Sequence, residues 1–305
     1  MLGRSAGGRI RKVIVTLVSI NSLPEFMNAK VRTLTGALSL FVLVEGLLHG
    51  YAGTFNWTNA MGGLFSVPAN WSPNAVPGLS DTAVFSNAAS YVFTVDVSKT
   101  NSSALFNQGS VTLAIPGGIW CVTNQWRVGE VLSNAASVTT ISGLLAVTNA
   151  AGTAVTSIGR NWTGELAVVG GSLVTDVLQA TNGDSSVLDL AHGNLTTLCG
   201  VTVSNGTLVV GTDPARPLVW NIVGGNNQIL NNGFYGYGGL TLGQDLGIGH
   251  AVINLSGSNT ILSVPGLDVY STNAININGY ERRFECCVAG EREFVDGTAW
   301  EHKSW

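Results

Sequence analysis

Gly164-Glu165-Leu166-Ala167-Val168-Val169-Gly170-Gly171-Ser172-Leu173-Val174-Thr175 is the stretch whose reading decides the fold. Apolar side chains return at every second position after Gly164 and again after Gly171. That is the period of a strand, and a helix would instead repeat them at i, i+3, i+4 and i+7. The glycine pair between the two runs marks a turn. The same Gly-x-Leu-x-[Val/Thr/Leu] pattern starts at Gly143, Gly193, Gly206 and Gly238. Several of its spacings are near 21 or 22 residues. Period-two runs also occur at Val111-Thr112-Leu113-Ala114-Ile115 and Thr207-Leu208-Val209-Val210, and Ser-Asn-Ala-Ala-Ser occurs at Ser86 and again at Ser133.

Repeats of roughly 20–50 residues indicate solenoids, propellers or arrays. The expected fold is therefore all-β, a parallel β-helix in which inward residues of successive coils form one apolar column. A β-sandwich is the alternative, since short strands at this spacing also fit it. The solenoid is preferred because the turns are rich in Gly and Asn and most strand pairs lack an Asn-Gly hairpin signal.

Composition agrees. Of 305 residues, 45% are apolar and only 10% charged, against roughly 25% charged in ordinary soluble proteins. Low charge with high apolar content excludes a disordered chain. The net charge of −4 is mild, and residues 53–280 hold only Lys99, Arg127, Arg160 and Arg216 as basic groups. Nucleic-acid binding needs clustered Lys and Arg, so it is excluded as a partner class.

Residues 27–52 read as a secretory signal peptide: Lys30 and Arg32, an apolar run from Leu34 to Leu48, and Gly50-Tyr51-Ala52 before a cut at Gly53. Residues 1–26 then read as an upstream mis-start or a disordered extension. Residues 53–280 read as the β-helix domain, with 53–95 as its N-terminal cap. Residues 281–305 are atypical, with ten of 25 residues charged, and read as a frame-shifted tail.

Residues 53–280 resemble bacterial exported proteins with autotransporter-associated β-strand repeats. The resemblance rests on Asn70-Trp71-Ser72-Pro73 with Pro77-Gly78 and Asp81-Thr82-Ala83-Val84-Phe85; on Leu145 to Thr153 leading to Ile158-Gly159-Arg160-Asn161; on Ala180-Thr181-Asn182-Gly183 leading to Val203-Ser204-Asn205-Gly206-Thr207-Leu208; and on Leu255-Ser256-Gly257-Ser258-Asn259-Thr260. It implies a right-handed parallel β-helix displayed on the outer cell surface or secreted. It implies membrane attachment only through the signal segment or a C-terminal anchor missing here. It carries no catalytic residue over.

The expected function is thus a non-enzymatic structural or adhesive module, with extracellular polysaccharide or cell-envelope components as partners. A carbohydrate-binding module is the second reading, and a pectate-lyase-like enzyme the third. Glycan hydrolysis needs two carboxylates at a fixed separation. Asp184 with Asp189, and Asp245 with Asp268, are the sequence candidates, but Asp side chains bonding their own turns are the preferred account. His192 and His250 stand alone. No catalytic, cofactor or metal set is read, and no cofactor is expected. Trp120 and Trp126 are the candidate glycan-stacking residues, with end-capping and core packing as the preferred account of the tryptophans. Trp57 and Trp71 are expected to seal the first coil. Cys121 and Cys199 read as buried free thiols, with a disulfide between them as the alternative; no CxxC spacing supports zinc.

Overall fold

A computed structural model of the chain describes residues 52–182, 186–204, 208–230, 239–243, 249–269 and 273–277, and the backbone of strands 283–288 and 291–295. The signal-like segment lies outside them apart from Ala52. So do residues 1–26, Gly206 and Gly238. The described residues belong to one compact unit, Tyr51–Trp305.

This unit is a parallel β-solenoid whose coils each contribute rungs to three faces. The first face stacks Ser90–Thr94, Gly109–Ala114, Ala136–Thr140, Gly164–Val168 and Ser186–Asp189, all parallel. Leu208–Val210, Leu240–Leu242 and Leu267–Val269 form a further parallel sheet, reached through a bridge from Leu190 to Val210. The second and third faces share long strands that bend once. In Lys99–Phe106 against Ile119–Val128, Asn101 pairs with Val122 and Ser103 with Gln125, so the register shifts at the bend. Parallel pairing through a whole sheet excludes the sandwich, in which neighbours are antiparallel. Among the described residues there is no α-helix, only a 3₁₀ turn at Pro68–Asn70.

Alternation does the folding. Leu113, Val138, Leu166 and Leu188 point inward on the first face, and Leu145, Leu173, Leu195 and Trp220 on the second; all are buried. Burial of one such side chain is worth about 1.5–3 kcal/mol. The repeated rung, rather than any single residue, therefore holds each coil to the next.

The Gly-x-Leu pattern marks two different corners. Gly143, Gly171 and Gly193 open the second face, where Leu145, Leu173 and Leu195 stand in register. Gly164 opens the first face. Mixing the two corners is why the spacing drifts in the sequence. Coil length varies as well: hydrogen-bonded neighbours on adjacent coils are 21 residues apart at Ser86 and Asn107, 22 at Asn254 and Asn276, but 33 at Asn221 and Asn254. Gly143 shows why a corner needs its glycine. Its φ is +76°, and an added Cβ would sit 2.0 Å from the carbonyl oxygen of Ile115 on the preceding coil.

At the bend between the second and third faces the core is polar. Asn101, Thr156, Thr175, Thr197 and Asn227 are buried there. Asn227 Nδ2 donates to the carbonyls of Gly224, Gly225 and Ile261, and the Thr156 hydroxyl to that of Thr175. Bending a strand frees backbone groups from the ladder, and buried backbone groups must be paired. On the outer surface Asn276 Nδ2 donates to Asn254 Oδ1 at 2.8 Å, and Asn254 Nδ2 to Asn221 Oδ1 at 2.9 Å, making a column of asparagines.

At the N-terminal end Thr54–Trp57 pairs antiparallel with Trp71–Ser72 and parallel with Thr82–Phe85. Trp57 and Trp71 are buried, 5.1 Å apart edge to face, and Trp57 meets Phe93 at 4.9 Å. At the other end Arg283–Val288 continues the parallel ladder on Ile261–Val264, and Glu291–Val295 then returns antiparallel. The change in pairing falls after Val288, later than the compositional break at Tyr280.

Candidate functional site

A glycan-cleaving site would be built from acidic side chains. Each of the five aspartates whose side chain is described accepts a backbone N–H. Asp81 takes those of Gly53 and Gly78, both at 2.7 Å. Asp96 takes that of Ser66 at 3.1 Å and also its hydroxyl. Asp176 takes those of Asn149 and Ala154. Asp189 takes that of Ala191, and Asp213 those of Ala215 and Arg216. These carboxylates tie turns and join coils. Burial works to raise the Asp96 carboxyl, but the Ser66 hydroxyl and N–H outweigh it and hold it below its ordinary value. Asp184 and Asp245 lie outside the described residues, as does the side chain of Asp268, so neither sequence-derived pair is placed.

The structure corrects the tryptophan assignment. Trp120 and Trp126 are both 0% exposed, on inward rungs, so neither offers a ring face to a sugar. Trp120 packs among Phe65, Phe93 and Phe106, and Trp126 lies 5.1 Å from Phe106. The reason is the alternation itself: each falls in phase with inward Val122 or Val128. The Trp120 indole N–H donates to Asn101 Oδ1 at 2.9 Å, and that of Trp220 to Thr197 Oγ1 at 3.3 Å. In both cases the ring answers a polar residue at the bend of the preceding coil. Period-two phasing was available in the sequence to find this, but the phase on either side of each bend was not.

The cysteines also differ from expectation. Cys121 and Cys199 are unbonded, yet Cys121 is only half-buried and Cys199 is exposed. Partial burial, then the charge of Asp176, pushes the Cys199 thiol up.

Two polar clusters join neighbouring coils. In the first, His192 is buried with its Nδ1 3.1 Å from Asp213 Oδ2, close but without the alignment of a hydrogen bond, and its Nε2 on the Val169 carbonyl. Arg216 reaches the same Asp213 oxygen at 2.7 Å. The Ala215 backbone N–H, followed by Arg216, holds the Asp213 carboxyl below its ordinary value. The imidazole is buried against the coil rather than open to solvent, so the cluster is a clasp for the turn at Asp213 to Arg216. The Asp213-Pro214 pair is the turn signal that sequence reading passed over. His250 is exposed, and its carbonyl accepts the Leu218 N–H.

The second cluster faces outward, where the third face turns into the first. Arg127 donates to Glu130 Oε1 at 2.6 Å, and Asn161 Nδ2 donates to the same oxygen at 3.1 Å. The Trp162 N–H reaches the Gly129 carbonyl at 3.1 Å, and the Ala136 N–H that of Thr163 at 3.2 Å. The two corner loops, 129–135 and 159–163, are thereby stapled together by backbone and side chain. Trp162 is 41% exposed, in contrast to buried Trp57, Trp71, Trp120, Trp126 and Trp220. Leu132 is 68% exposed on the adjoining loop. The Arg127–Glu130 spacing of three was visible in the sequence. Its closure by Asn161, one coil later, was not.

Among the described residues no three His, Cys, Asp or Glu side chains cluster to hold a metal ion, and no helix is long and apolar enough to cross a membrane. No family model, curated protein or solved structure matches the chain, so the solenoid geometry itself is the ground on which function is argued.

Proposed function

We propose that the chain is an exported, cell-surface structural module: a β-solenoid that acts as a spacer and presents its outer faces to extracellular polysaccharide or envelope components without cleaving them. The supporting observation is the employment of the carboxylates. All five described aspartates are bound to backbone N–H groups of their own or adjacent coils. Carboxylates committed to turn and inter-coil backbone serve the stacking of the coils, which is the part a spacer asks of them. The segment 27–52 supplies the export signal in this reading, and the low charge of the body suits a part whose work is stacking.

The test mixes the full chain with insoluble polysaccharides and cell-wall preparations, sediments them, and assays both protein loss and released reducing ends. Selective loss without new reducing ends is the expected result. Reducing ends released in proportion to protein would refute the non-enzymatic assignment.

A further inference from the structure

The geometry points to a binding subsite for one pyranose unit of a neutral glycan at the corner built by Trp162, Asn161, Arg127 and Glu130. It deepens the surface-module reading and rests on it.

The first ground is where the chain spends its aromatic surface. The other five described tryptophans are buried, and in all but Trp126 the indole N–H has an acceptor. Trp162 alone among them keeps 41% of its surface in solvent. Exposure of so large an apolar group forgoes burial energy that this core readily supplies elsewhere. Leu132 and Val131, 68% and 39% exposed, lie on the loop stapled to it. Grouped exposed apolar side chains with a polar rim mark recognition surfaces.

The second ground is rigidity. The Trp162 backbone is fixed to Gly129, its neighbour Asn161 to Glu130, and Glu130 to Arg127. Gly129 sits where a Cβ would be 2.6 Å from the Thr163 carbonyl, so the two loops touch through backbone. A pre-set platform avoids the ordering cost that weakens binding by mobile loops.

The third ground is chemistry. The exposed indole of Trp162 follows directly on Asn161, whose amide lies in one hydrogen-bonded set with Glu130 and Arg127. A pyranose has the complementary construction: an apolar face of C–H groups and a rim of hydroxyls that both donate and accept. The exposed Asn161 carboxamide offers a donor and an acceptor to such a rim, and the Arg127–Glu130 pair, with the Glu130 carboxylate turned into the corner, fixes its direction. The Arg127 and Glu130 charges cancel within the pair, so the subsite favours an uncharged sugar over a uronate or a sulfated one.

The probes are soluble hydroxyethylcellulose, xylan and galactomannan, each set in a native gel through which the full chain migrates. At least one polymer retards the chain. Trp162→Ala weakens that retardation at least tenfold, Trp162→Phe less, and Asn161→Ala by several-fold, with the far-ultraviolet circular dichroism unchanged. Because the ligand is neutral, retardation persists from 0.05 to 0.5 M salt, roughly the range over which exposed charges become fully screened. Retardation that Trp162→Ala leaves intact would overturn the subsite while sparing the surface-module reading. Absence of retardation by all three polymers also overturns it, and leaves a spacer that touches no neutral glycan. Self-association of the chain abolished by Trp162→Ala would reassign the corner to a protein contact.

Discussion

Replacing Trp120 by Phe tests how the bends are sealed. Trp120 Nε1 donates to Asn101 Oδ1, and Asn101 Nδ2 donates to the Gly78 carbonyl at 2.9 Å. Both side chains are fully buried. Trp120→Phe keeps most of the aromatic contact but leaves the Asn101 oxygen without a donor, at a cost of about 1–3 kcal/mol. The smaller ring adds a cavity cost of about 1 kcal/mol. Asn101→Leu, similar in volume, strands the indole N–H and costs about 1–3 kcal/mol, while the exposed Gly78 carbonyl keeps the Asp81 N–H. In the double variant the indole–amide bond is lost only once and neither of its partners remains orphaned. The two changes should therefore couple by about 1–3 kcal/mol, with the double variant more stable than additivity predicts. The assay is guanidinium unfolding of the four proteins by far-ultraviolet circular dichroism, paired with hydrogen exchange at the amides of residues 119–122. Exchange is needed because stacked repeats can open locally without global unfolding. Additivity within about 0.5 kcal/mol would refute the claim that the ring and the amide act as one unit.

Gly143→Ala should destabilise by roughly 2–4 kcal/mol, since strain at positive φ adds to a backbone clash that the coil spacing cannot relieve; an unchanged melting midpoint would show that the corner can shift. Asp213 is held below its ordinary value, so its contribution to the clasp is present above the ordinary carboxylate range, near pH 3.9, and is lost as pH falls through the lowered value. The amide of Ala215 should accordingly gain exchange rate only in strong acid, and Asp213→Asn should show the fast rate at neutral pH. Peptide mapping should find Cys121 and Cys199 both alkylated without prior reduction once the chain is unfolded; in the native state Cys199 should react more slowly than an ordinary thiol at pH 8, because its thiolate is disfavoured.

The rungs were legible in the sequence because a strand declares itself every two residues. Leu166 and Val168, or Val111 and Leu113, sort to the inside by alternation alone. The corners were partly legible. Gly143, Gly171 and Gly193 announce one, but Gly164 announces another with the same motif, so the sequence shows that turns recur without showing which turn each is. Ser-Asn-Ala-Ala-Ser behaves alike: Ser90 and Ser137, the last residues of its two copies, fall in one column with Ser110 between them. What resisted reading was anything decided across coils. The burial of Trp120, the joining of Asn161 to Glu130, and the meeting of His192 with Asp213 each depend on how many residues a given corner absorbs. That number varies, and nothing local to either partner encodes it.

The asparagine column has a direction. In both links the later coil offers its amide nitrogen and the earlier coil its amide oxygen, so the small dipoles of Asn276, Asn254 and Asn221 point the same way. Hydrogen bonds in series polarise one another, and the row behaves as a single oriented filament along the outside of the sheet. The surface is then not equivalent when read upward and downward. A polymer lying along it would meet donors before acceptors in one orientation and acceptors before donors in the other. A stack of coils that is nearly uncharged can thereby distinguish the two ends of what it touches.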